Sequence, residues 1–162
     1  MSSRVAVTGL GLVSCLGHSY AEAIERLRRG ESGIIAVPHW QQWGIKSLVA
    51  GKIRDLEEKQ AQAGLPKRLV PGMSSAALYC SIAAVDAVAD AGLDEESLQA
   101  ASTACIVGCG TGSVRSVYKA ADLAYSGKIR RVDPFTVLRC MASSPSAAVS
   151  NLLGVHGPSY SI

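Results

Sequence analysis

The chain has 162 residues, 48% of them hydrophobic, with a mean hydropathy of +0.22, which excludes a disordered protein and supplies enough apolar surface for a sizeable core. A net charge of +3 is too weak a basic excess for nucleic-acid binding but suits an acidic partner. The five cysteines are odd in number and form no CxxC, and no secretory segment or membrane-length apolar run is present, so the sequence reads as a cytoplasmic protein with small reduced thiols.

In chain order, "RVAVTG" (Arg4 to Gly9) reads as a buried first strand and "GLGLVSCLG" as a glycine-punctuated loop. Tyr20 to Arg29 is predicted as an amphipathic helix, with Ser19 as N-cap and Glu22 completing a capping box. Ser47 to Ile53 is a short strand, and Arg54 to Gly64 a polar, exposed stretch. Met73 to Ala91 is small and apolar on nearly every face, with Asp86 and Asp90 its only charges, so it is expected to be covered on all sides. Gly92 closes that helix and Asp94 opens a short one. Thr103 to Gly110 is a buried strand entering the loop "GCGTGS", followed by a helix over Val114 to Tyr125 and a basic loop, Lys128 to Asp133. Pro134 to Cys140 and Ser143 to Leu153 are two helical pieces, and Ser159 to Ile162 begins another strand. Strands alternating with helices imply an α/β fold with a mainly parallel sheet. The scarcity of aromatics leaves packing to Ala, Val, Leu and Gly, which implies closely approaching backbones.

Four features bear on chemistry. "GLGLVS" (Gly9 to Ser14) superficially matches a dinucleotide-binding turn, but its helix starts too late and no acidic residue follows a second strand, so a structural turn is favoured. "GCGTGS" (Gly108 to Ser113) fits a phosphate cradle, a backbone packed against a ligand, or plain packing, and the residues do not choose among these. His18, His39 and His156 show no metal spacing, which points to no metal site, and Trp40 and Trp43 read as packing anchors. Lys67-Arg68 and Lys128, Arg130 and Arg131 are either a solvated face or a docking patch for an acidic group.

Taken together, "RVAVTGLGLVSCLG", "AVADAGL", "GCGTGS" and "DPFTVLRCMASSPSAAVSNLLGVHGPSYSI" resemble the β-ketoacyl-acyl-carrier-protein synthases, the condensing enzymes of fatty-acid and polyketide synthesis. The resemblance runs in order along nearly the whole chain. It implies the thiolase fold, layered α-β-α-β-α, of which residues 1–162 form an incomplete N-terminal segment. It also implies a homodimer or a heterodimer with a related subunit, and no cofactor, since the substrates travel on the phosphopantetheine of an acyl carrier protein. In the family, "YSI" delivers a nucleophilic cysteine a few residues further on, and the two catalytic histidines and the lysine lie later still. None of the five cysteines, nor His156, matches them, so this segment alone is expected to be inactive and poorly folded.

Residue by residue, the resemblance places Thr111 on the acyl pocket, Thr136 and Val137 on the loop that reaches across the dimer, and Met141 beside them. It places Lys67, Arg68, Lys128, Arg130 and Arg131 where the acidic carrier protein docks, with Pro71 replacing a basic residue of some members. The implied reaction is decarboxylative Claisen condensation of an acyl thioester with malonyl-carrier protein. The alternative is a non-catalytic chain-length-factor-like partner of the same fold.

Overall fold

The computed structural model describes residues 4–162. Helix α1 (Tyr20–Arg28) begins as its sequence dictates. The Ser19 hydroxyl accepts the Glu22 N–H at 3.2 Å. The Glu22 carboxylate accepts the His18 N–H at 3.0 Å, one residue earlier than in a regular capping box. Strand β1 (Ile34–Ala36) pairs antiparallel with β2 (Val49–Gly51), Ile35 facing Ala50, and a 3-10 helix over Pro38–Trp43 joins them.

The stretch expected to be merely polar contains a helix, α2 (Leu56–Gln62). Its signal was in the sequence: Asp55 precedes it and Glu57 and Glu58 occupy the first turn, where carboxylates favour the positive helix end. Lys59 on this helix reaches Asp86 at 2.7 Å, both side chains largely sheltered.

Helix α3 (Ser75–Ala91) starts where the Ser74 hydroxyl accepts the Ala77 N–H at 3.1 Å. It stops at Gly92, whose φ of 64° suits a residue without a β-carbon. A short helix, α4 (Glu95–Gln99), is capped by Asp94. Strand β3 (Cys105–Val107) is followed by α5 (Val114–Tyr125), a 3-10 turn over Ile129–Arg131, α6 (Thr136–Cys140), α7 (Ser144–Leu153) and β4 (Ser159–Ser161).

The core lies where α3 packs on α7 and α7 packs on the parallel pair β3–β4. Ala77, Ser81 and Ile82 of α3 are buried, as are Ser144, Pro145, Ser146 and Val149 of α7 and Cys105 of β3. Small residues at this junction let the backbones approach, as the composition implied. Two serine pairs lock α7 to β4: Ser146 to Ser161 at 2.8 Å and Ser150 to Ser159 at 3.0 Å. Four helical residues rise about 6 Å and two strand residues about 6.6 Å, so the periods match.

Two expectations need correction. Arg4–Gly9 joins no sheet, and Val5 and Val7 are exposed, because no strand among the described residues pairs with it. Instead of a mainly parallel sheet there are two separate pairs among the described residues, one antiparallel and one parallel. Helix α3, apolar on nearly every face, is covered only in part by the described residues, through α7 and the Gly9–Gly11 loop.

Candidate functional site

The site is assembled at the carboxyl ends of β3 and β4. Parallel strands with helical crossovers collect ligands at that end, because the loops there converge. The Ile162 N–H donates to the Val107 carbonyl at 3.1 Å, and the Cys109 N–H donates to the Ile162 carbonyl at 2.9 Å. The pairing therefore continues to the last residue of the chain and sets Ile162 against the start of the Gly108–Ser113 loop.

That loop divides into an open part and a packed part. A β-carbon added at Gly110 would meet nothing within 4 Å, and at Gly108 only the Ile162 carbonyl, at 3.9 Å. At Gly112 it would overlap the Cys140 carbonyl, and the Ser113 N–H donates to the Arg139 carbonyl at 2.8 Å. The loop is thus seated on the end of α6, next to Met141. Thr111 lies on the exposed bend between the two parts, its carbonyl accepting the Cys109 thiol at 3.0 Å.

Because Gly112 sits against the Cys140 carbonyl, Thr111 and Met141, one residue away on each side, lie at the same end of the loop. The structure separates the other two pocket candidates. Thr136 lines a small hollow between α5 and α6, together with Ser116, Lys119 and Arg139. Val137 is 72% exposed. A feature unmarked in the sequence is an apolar cleft of about 100 Å³ on another side of α6, lined by Leu69, Met73, Leu138 and Ala147 among others. Its residues come from three separate segments, so only the fold reveals it.

The cysteines are all unpaired. Burial pushes the Cys80 thiol above its ordinary value, and the neighbouring Cys109 and Cys105 add to the effect. Cys105 is buried, its thiol directed at the Ser146 carbonyl at 3.7 Å. His18 is structural: its Nε2 bonds the Arg54 carbonyl at 2.5 Å. Trp43, expected as a packing anchor, is 64% exposed, with the His39 ring edge-on at 5.7 Å. Lys67, Arg68, Lys128, Arg130 and Arg131 are all exposed, and none makes an ion pair with a described carboxylate.

The "GLGLVS" stretch is not a nucleotide cradle. A β-carbon at Gly9 would lie 2.7 Å from Ala91 Cβ, and one at Gly11 would overlap the Ala83 carbonyl. The glycines let this loop lie on α3, and the next helix begins only at Tyr20.

The fold is shared with solved ketosynthases of the thiolase fold. The ishigamide ketosynthase/chain length factor superposes with a TM-score of 0.82 at 24% identity, covering 96% of this chain and 38% of that one. The family model for the beta-ketoacyl synthase N-terminal domain matches residues 2–162, and the chain belongs to that family. It is 35% identical over 162 residues to 3-oxoacyl-acyl-carrier-protein synthase 1 of Escherichia coli, covering 98% of this chain and 39% of that protein. Against the synthase of the same name from Haemophilus influenzae the identity is 30% over 160 residues, covering 98% and 38%. The chain thus spans under two fifths of the length of these relatives.

Proposed function

We propose that the polypeptide carrying this chain is a 3-oxoacyl-acyl-carrier-protein synthase of fatty-acid or polyketide synthesis, and that residues 1–162 are the incomplete N-terminal part of its catalytic domain. The observation that carries this reading is the β3–β4 pair, whose carboxyl ends meet an open glycine loop in a chain matched to the family along its length.

In this reading a cysteine thiolate following Ile162 attacks the thioester of an acyl-carrier protein. The acyl group passes to the sulphur as an acyl-enzyme thioester, and the carrier's phosphopantetheine sulphur leaves as thiolate and takes up the proton the cysteine gave up. Malonyl-carrier protein then loses CO2. The electron pair of the broken C–C bond forms the new bond to the acyl carbon, and the enzyme sulphur departs as thiolate. Thr111 and Met141 form the wall beside the acyl chain. Thr136 and Val137 belong to the segment facing a second subunit. No cofactor takes part, since the carrier's own arm delivers both thioesters.

The basic groups Lys67, Arg68, Lys128, Arg130 and Arg131 form the carrier-docking face, supported by their exposure and by their making no ion pair with a described carboxylate. Dimerisation is supported by β4, an edge strand among the described residues whose Tyr160 is 61% exposed. The alternative is a chain-length-factor-like partner, which would share the fold seen in the ketosynthase/chain length factor. It differs in having no cysteine at the position that follows.

Reconstitution of the whole polypeptide with acyl- and malonyl-carrier protein should release CO2 and form the 3-ketoacyl product. A polypeptide that forms none, but is needed by a second subunit for product of defined length, is the chain-length factor; failure of both ends the reading. Reversing Arg130 and Arg131 to Glu should weaken carrier binding about tenfold at low salt, and less at high salt. Unchanged affinity at low salt removes the docking role.

A further inference from the structure

The two basic segments are separated by about sixty residues of sequence, yet one side chain connects them. Arg139, near the end of α6, donates from Nε to the Pro71 carbonyl at 2.9 Å, and its Nη2 donates to the same oxygen. Its Nη1 pairs with the Asp133 carboxylate at 3.0 Å. The guanidinium also lies over the Phe135 ring, 5.9 Å from its centroid. Pro71 closely follows Lys67 and Arg68, and Asp133 closely follows Lys128, Arg130 and Arg131.

A guanidinium suits this place because its donors are fixed in one plane and address two acceptors at once. A lysine ammonium carries the charge without the fork. Asp133 is the only carboxylate in residues 128–140. Left bare, it would oppose an acidic partner beside the very cations meant to attract one. The Phe135 N–H and then Arg139 hold its carboxyl below the ordinary range, so it is ionised and neutralised locally.

We propose that Arg139 is a positioning residue of the carrier-docking face, holding the 67–68 and 128–131 segments in one surface and masking the single acidic group of the second. This rests on the docking reading given above. Arg139 need not touch the partner; it acts through the loops it joins.

The test measures binding of holo acyl carrier protein to the whole synthase polypeptide at low salt, by fluorescence anisotropy, together with steady-state kinetics. Arg139→Gln should raise Kd and the KM for carrier-borne acyl substrate about fivefold. The KM for the same acyl group on free pantetheine should shift by less than about twofold. Arg139→Lys should recover only part of the loss. Should Arg139→Gln fail to fold, Arg139→Lys, which keeps the charge without the fork, replaces it and should by itself raise Kd about twofold.

Unchanged Kd in these variants, while Arg130→Glu with Arg131→Glu still weakens binding, overturns the proposal and leaves the docking reading intact. Equal losses with carrier-borne and free pantetheine substrates overturn it too, since they mark a general structural role. If the Arg130 and Arg131 reversal itself changes nothing, the docking reading fails and this proposal falls with it.

Discussion

Two loops of this molecule look alike in sequence and do opposite things. "GLGLVS" and "GCGTGS" each follow an apolar stretch and carry spaced glycines. In the first, Gly9 and Gly11 are small because the backbone of α3 occupies the space their side chains would take. In the second, Gly108 and Gly110 open onto free volume at the ends of two parallel strands, and only Gly112 is packed. A glycine in a sequence signals that something lies close or that the backbone bends; it does not say whether the close object is the protein or a ligand. The difference assigns the first loop to the architecture and leaves the second open among the described residues, as the proposed site requires.

The sharpest way to break this comparison is to add one methyl group to each. Gly11→Ala places a β-carbon on the Ala83 carbonyl, and α3 cannot yield without disturbing its packing on α7. We expect a loss of about 3 kcal/mol, the upper range for overpacking. Gly110→Ala meets no atom within 4 Å and should change stability by less than about 0.5 kcal/mol. Denaturant midpoints of the whole polypeptide, compared at constant slope, decide it. Equal midpoints for the two variants would erase the distinction.

Local signals were readable and long-range ones were not. Ser19 and Asp94 as caps, Gly92 as a stop, and the division between α6 and α7 all follow from rules acting within a turn of chain. The strand at Arg4–Gly9 was misjudged because apolar alternation shows what a segment suits, while pairing depends on a neighbouring strand. Asp86 and Asp90 were noticed as lone charges on an apolar helix, but their partners, Lys59 and the Leu10 N–H, lie far off in sequence. Thr111 and Met141 came from family resemblance, and their place at the same end of the loop is visible only once Gly112 is seen against Cys140. Arg139 carried no sequence signal at all, since its partners are a main-chain carbonyl and a carboxylate on another turn.

The second loop offers a test of the opposite kind, in which size changes function rather than stability. Thr111 stands at the bend between the open and packed parts, exposed and free of side-chain bonds. Thr111→Phe should fold normally and shorten the longest acyl primer accepted. Each buried methylene contributes about 0.8 kcal/mol, so kcat/KM should fall about tenfold for every two carbons beyond the new limit. Product chain lengths from the reconstituted enzyme measure this. An unaltered product profile would show that the open volume beside Gly108 and Gly110 is not the acyl pocket.

The smallest expected effect concerns how each loop is tied down. The second is anchored main chain to main chain, Ser113 N–H to Arg139 carbonyl, a bond that survives any side-chain change at either end. The first is anchored by a side chain, the Asp90 carboxylate accepting the Leu10 N–H at 2.9 Å in an exposed setting. Asp90→Ala removes that acceptor but leaves the N–H accessible to water, so the cost should be only about 0.5–1 kcal/mol. Asp90→Asn keeps an acceptor and should cost less. If Asp90→Ala instead costs nothing by denaturant midpoint, glycine packing alone fixes the first loop on α3, and the carboxylate merely accompanies it.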